Sequence, residues 1–99
     1  MAVSVTVGSF EWNEDKERKN IEKHGVNFLA ASRVFLDPFR IIAVDEPHST
    51  AEPRLFCIGR AGNRILTVRF TYRGERIRIL GAGYWRKGRV LYEKENKKN

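Results

Sequence analysis

The stretch from Arg54 to Leu80 constrains this chain more than any other part of it. It reads as three consecutive strands, Arg54–Arg60, Arg64–Arg73 and Glu75–Leu80, broken only at Ala61-Gly62-Asn63 and Arg73-Gly74. Glycine at 74 permits the positive φ that a tight hairpin turn needs. A two-residue turn at Arg73-Gly74 predicts Tyr72 opposite Glu75, then Phe70 opposite Ile77 and Val68 opposite Ile79 on one face. Thr71 then opposes Arg76 and Arg69 opposes Arg78 on the other, and the Gly62-Asn63 turn brings Arg54 alongside Thr71. One face is apolar and ready to receive helices; the other gathers Arg54, Arg69, Arg76 and Arg78. Because side chains alternate along a strand, a one-residue change of register would exchange the faces.

Ahead of these strands the punctuation is helical. Asn13 is a good N-cap, Glu14 and Asp15 put negative charge at a helix start, and Gly25 offers a left-handed stop after His24. Glu14–Arg18 and Asp15–Lys19 add i,i+4 support. Ile21 is the only strongly apolar residue between Asn13 and His24, so this helix is expected on the surface, presenting Lys16, Lys19, Asn20 and Lys23. Asn27 can cap a second helix whose Phe28, Ala31, Val34 and Phe35 form a core-facing stripe, ending at Asp37-Pro38. Arg40–Asp45 is expected as a buried strand and Glu46–Pro53 as a polar loop. A final helix runs from about Trp85 to Lys94, weakened by about 1 kcal/mol at Gly88 relative to alanine. Phe10-Glu11-Trp12 reads as a short strand or an entry segment, and the Val3, Val5, Val7 alternation suits an edge strand or a loose extension. The expected class is α+β: two N-terminal helices, a mostly antiparallel four-stranded sheet and a C-terminal helix. They form a single domain over 1–99, with an extension at 1–9 and a charged tail at 94–99.

Ninety-nine residues, 41% of them hydrophobic, suffice for one core without staples. A single cysteine excludes an intramolecular disulfide; Cys57, inside Leu55-Phe56-Cys57-Ile58, is expected to be a small buried thiol in a reducing, cytoplasmic setting. No run approaches the ~18 apolar residues of a membrane span, and the opening lacks the basic start and apolar centre of a signal peptide. Charge is more informative. Residues 1–53 carry six basic and nine acidic side chains (net −3), whereas residues 54–99 carry thirteen and three (net +10). Such an excess implies a polyanionic partner, nucleic acid first, or an acidic protein. Like charges facing one another across strands are destabilising. Either an anion occupies the basic face or Asp45, Glu52 or Glu75 neutralises it, and the two can coexist.

The segment from His48 to Arg54 places a histidine, the carboxylate of Glu52 and an arginine close together. Metal-free RNA cleavage needs a base for the 2′-hydroxyl, an acid for the leaving oxygen and cations for the phosphorane-like charge. These residue types can supply each role; a loop histidine can equally be a solvated side chain. His24 and His48 without a cysteine pair give no metal-ligand spacing, and no phosphate loop, dinucleotide motif or nucleophilic triad appears, so no cofactor is expected. Trp12 is read as a core anchor for the first helix rather than a stacking surface. Tyr84 and Trp85, after Gly81-Ala82-Gly83 and before Arg86 and Lys87, either form a stacking platform with phosphate contacts or pack the last helix onto the sheet.

These residues together resemble the BrnT toxin family. Phe10-Glu11-Trp12, Lys16, Asn20, Lys23-His24-Gly25-Val26 and Phe28 look like its opening signature. Val34–Pro38, Asp45, His48, Glu52 and Arg54 continue it. Gly59, Thr71, Arg73, Ile77-Arg78-Ile79 and Tyr92-Glu93 complete it. The resemblance implies a RelE-like fold and metal-independent endoribonuclease activity that inhibits translation. It also implies neutralisation by a ribbon-helix-helix antitoxin (BrnA-like) in a complex that represses its own operon, with DNA reached only through that complex. Where the family usually shows Ser-Ala-Arg, this chain has Gly81-Ala82-Gly83, so the usual arginine becomes Gly83. On this reading Arg54, Arg73 and Arg78 bind phosphate or stabilise the transition state, and His48 or Glu52 handles protons. Lys87 or Arg86 covers the altered position, and Lys16, Lys23, Arg69, Arg76, Tyr84 and Trp85 contribute RNA contacts. The rival reading is a non-catalytic antitoxin- or RNA-binding module.

Overall fold

Asn13 caps α1 (Glu14–His24): its side chain accepts from the Lys16 amide at 3.0 Å, and Gly25 ends the helix at φ 70° by donating to the Ile21 carbonyl. Asn27 likewise caps α2 (Phe28–Ser32), but the helix tightens after one turn into a 3-10 segment at Arg33–Leu36. The structure, a computed structural model, describes residues 3–49 and 51–97. Residues 1 and 2 of the expected extension and 98 and 99 of the charged tail lie outside it. Two strands, β1 (Ser4–Val7) and β2 (Phe10–Asn13), precede the helices. After them come β3 (Ile41–Val44), β4 (Leu55–Ala61), β5 (Arg64–Arg73), β6 (Arg76–Gly83) and α3 (Arg86–Asn96).

The class is α+β, but the expected four-stranded sheet behind two N-terminal helices is not what forms. The sheet has six strands in the order β1-β2-β6-β5-β4-β3, and it is mixed, because β2 runs parallel to β6 with Glu11 beside Arg78. Phe10 and Trp12 stitch the N-terminal hairpin to Ile77 and Ile79, so the chain starts in the sheet rather than in a helix. β3 is also not the buried strand expected: it lies at the sheet edge, with Ile42 and Val44 46% and 56% exposed.

The β5–β6 turn uses Gly74-Glu75 instead of Arg73-Gly74, so Arg73 faces Arg76, Thr71 faces Arg78 and Phe70 faces Ile79. That register differs from the expected one by two residues, not one, and the faces are conserved. An irregularity between Arg69 and Phe70 lets β6 run on, pairing Gly81 with Arg69 and Gly83 with Thr67. On the first face Leu66, Val68, Phe70, Cys57 and Ile79 pack beneath Phe28, Ala31 and Val34. On the second, α3 covers one end, where Tyr92 packs with Ile58 and Ile65. The other end of that face carries the arginines.

The first helix is anchored by polar groups, which corrects the expectation that Asn20 faces solvent. Asn20 is buried, donates to the carbonyls of Val26 and Ala82 and accepts from the Ala82 amide, all at 3.0–3.1 Å. Glu17 accepts from the Trp12 indole and the Phe28 amide. Ile21 stays exposed.

Candidate nucleic-acid interface

Alternation along β5 places Arg69, Thr71 and Arg73 on the second face, with Arg78 on β6 opposite Thr71. The β4 register continues outward to bring Arg54 to the same level. Its segment is held there by Thr71, whose buried hydroxyl donates to the Pro53 carbonyl at 2.6 Å. Ser49 closes the preceding loop, donating to the Asp45 carbonyl and accepting from the Arg54 amide. α1 follows β2 without a gap, so its first turn brings Lys16 to this face. Partial burial, and then the charges of Arg54, Arg78, Arg69 and Arg73, lower the Lys16 ammonium from its ordinary 10.5. Five cations thus share one field.

Three carboxylates answer them. Glu52 lies 3.5 Å from Arg54 and 3.6 Å from Arg73, Asp45 lies 3.8 Å from Arg69, and Glu11 pairs with Arg78. Glu75 joins no ion pair among the described residues. Neutralisation is therefore incomplete: five positive groups face three negative ones, and the Glu52 contacts are too long for hydrogen bonds. Arg54 Nε is buried with no hydrogen-bond partner. A tetrahedral oxyanion offers the acceptors such guanidiniums lack.

His48 stands beside this cluster. Its Nδ1 lies 2.9 and 3.0 Å from the two Asp45 carboxylate oxygens, while the ring remains mostly exposed. An Nδ1–H donated to Asp45 leaves Nε2 to accept a proton.

The remaining sequence-derived residues do not all join the site. Arg76 is bound to the Gly8 carbonyl at the hairpin end, and Lys23 is exposed on the last turn of α1. Trp85 and Lys87 line an apolar groove of about 470 Å³ with Phe56, whose cross-strand neighbour is Arg69, so this groove adjoins the basic cluster. Tyr84 and Arg86 lie elsewhere, in a second cavity with Arg64. Tyr84 and Trp85 therefore make no shared platform. Trp85 packs back on the strand: a Cβ at position 83 would lie 2.6 Å from its ring, and His24 meets that ring edge-on at 5.2 Å. The indole occupies the space an arginine at position 83 would need.

Glu11 was missed as part of the site, and Asp45 was read only as a neutraliser of the basic face. Glu11 reaches it through the parallel β2–β6 pairing, for which the sequence carries no local signal. Asp45 orients His48 from three positions earlier, a spacing that was readable. Cys57 is fully buried and burial pushes its thiol up to about 12, which makes it a packing residue. Among the described residues, no helix is long and apolar enough to cross a membrane.

The chain matches the family model for the ribonuclease toxin BrnT of type II toxin–antitoxin systems over residues 12–88. A search of curated proteins finds no match. The matched span runs from Trp12 through α1, the basic face and the start of α3. The chain belongs to the BrnT family of type II toxin–antitoxin ribonuclease toxins.

Proposed function

We propose that the protein is an endoribonuclease that cleaves RNA without a metal ion and inhibits translation by doing so, with the scissile phosphate bound on the basic end of the second sheet face. The observation that carries this reading is the convergence of Lys16, Arg54, Arg69, Arg73 and Arg78 with fewer carboxylates than cations, including the buried, unpartnered Nε of Arg54. Arg54 and Arg73 hold the phosphate and stabilise the charge that grows on it. His48 Nε2, with Nδ1 oriented by Asp45, removes the proton of the 2′-hydroxyl as it attacks the adjacent phosphorus. The 5′-oxygen leaves with a proton drawn from water, and Glu52, paired with Arg54 and Arg73, holds the two guanidiniums in position. The products are a 2′,3′-cyclic phosphate and a 5′-hydroxyl. Analysis of the RNA ends after cleavage in EDTA tests this chemistry; 5′-phosphate ends would contradict it.

The family membership carries an antitoxin partner with it. A ribbon-helix-helix protein of BrnA type fits that role, with DNA contacted only through the complex. A second reading, a binding module without catalysis, is favoured by one observation: Trp85 fills the position where the family's usual arginine would project. A folded protein that binds antitoxin and leaves RNA intact, with and without ribosomes, would select it.

A further inference from the structure

At the opposite end of β5 a separate cavity of about 470 Å³ is lined by Arg60, Arg64, Arg86 and Arg89, with Tyr84 and Glu93. Arg64 lies over the Tyr84 ring, its Cζ 3.6 Å from the centroid, so the aromatic face holds the guanidinium in place. Arg86 and Arg89 project from the first turn of α3, whose start has no side-chain cap. Among the described residues Arg64, Arg86 and Arg89 enter no ion pair, and Glu93 is the one carboxylate among the lining residues. The basic face described above contributes none of these groups.

We propose that this cavity is a second phosphate-binding site, which takes a backbone phosphate of the same RNA strand whose scissile phosphate sits at Arg54 and Arg73. The inference rests on the RNA reading above. Arg64 and Arg73 end the same strand, so the two sites are about 30 Å apart at ~3.3 Å per residue. That span is about nine stacked nucleotides at ~3.4 Å each. Along β5 the groove with Phe56, Trp85 and Lys87 falls between the two sites, on the side of α3 that adjoins the basic cluster, and its aromatic walls and single cation suit the bases of a strand leaving that cluster to pass α3.

The test uses uncleavable 2′-O-methyl RNA of four and sixteen nucleotides, with affinity measured against salt concentration for the wild type and for Arg64→Ala/Arg86→Ala/Arg89→Ala. All three positions are exposed, and thermal melts check that the variant is folded. Each phosphate contact on a single strand adds about 0.7 to the salt slope. The variant is expected to lose about 0.7 from the slope for the sixteen-mer, one phosphate contact, and to bind the four-mer as the wild type does. An unchanged sixteen-mer slope overturns the second site while leaving the nuclease reading standing. Loss of antitoxin affinity with unchanged RNA binding overturns it in favour of an acidic protein partner. Failure of the wild type to bind either RNA overturns both readings.

Discussion

At Arg78 the guanidinium meets Glu11 with side chains only 14% and 17% exposed, so deleting it removes a cation from the site and strands a carboxylate in the fold. Breaking such a pair costs about 3 kcal/mol or more, and Arg78→Ala is expected to lose stability together with activity. Arg54 and Arg73 share the more exposed Glu52 at 3.5 and 3.6 Å, looser pairs than Arg78–Glu11, and are the cleaner probes of phosphate binding. Asn20→Ala leaves the amide and carbonyl of Ala82 and the carbonyl of Val26 without their partner. Urea unfolding should show a loss of about 2–3 kcal/mol, a size that exposure of Asn20 to solvent would not produce. At His48, replacement by alanine is expected to slow cleavage about 10²-fold; an unchanged rate would transfer the base role to Glu52. Asp37 bears on pH dependence. Burial alone would raise its carboxyl, but the Tyr92 hydroxyl at 2.7 Å, the amides of Arg60 and Phe39 and the Arg60 charge outweigh burial and hold it below 3.8. A depressed folded value means that Asp37 stabilises fully above the unfolded pKa and loses this contribution as pH falls below 3.8 through the folded one. Stability curves of Asp37→Asn should therefore be flatter than wild type on the acid side and lower at neutral pH.

Gly88 shows how an element can be misjudged from its own sequence. As a helical residue it is a weakness, yet α3 crosses the sheet so closely there that a Cβ would meet Thr67 Oγ1 at 1.9 Å. Gly88→Ala is expected to destabilise by about 1–3 kcal/mol despite alanine's helix preference, and Thr67→Ala in the same chain should recover most of the loss. A net gain from Gly88→Ala would show that α3 has slack. The helix caps were legible because an asparagine or glycine acts within one turn of itself. The arginine face was legible for a different reason: strand alternation survives a two-residue error, and choosing Gly74-Glu75 over Arg73-Gly74 shifts the register by two. The N-terminal hairpin was not legible as part of the main sheet. β1 and β2 have four residues each, and their place is fixed by pairing with β6, more than sixty positions away. Nor did Gly81-Ala82-Gly83 look like a strand; β5 pairing and Asn20 hold it as one, against its low strand preference. The same long-range pairing brought Glu11 into the site unseen.

Over the whole molecule the acidic half supplies the three carboxylates at the site and the basic half four of the five cations, so the charge asymmetry of the sequence becomes one face with a residual positive field. A bound polyanion should relieve that repulsion. Uncleavable 2′-O-methyl RNA at a hundred times its Kd adds about 2.7 kcal/mol to folding stability. For a domain of this size that raises Tm by about 10 °C or more. The shift should shrink in Arg54→Ala/Arg73→Ala and with added salt; an equal shift in the variant would place the RNA elsewhere. The central claim is that the basic face cleaves RNA. Its most direct test is the rate at which purified protein, with EDTA present, cuts total RNA, compared with Arg54→Ala/Arg73→Ala prepared identically and confirmed as folded. The account expects cleavage by the wild type and a loss of about 10²-fold or more in the variant. Equal cleavage by both proteins, or none by the wild type even with ribosomes supplied, would contradict it.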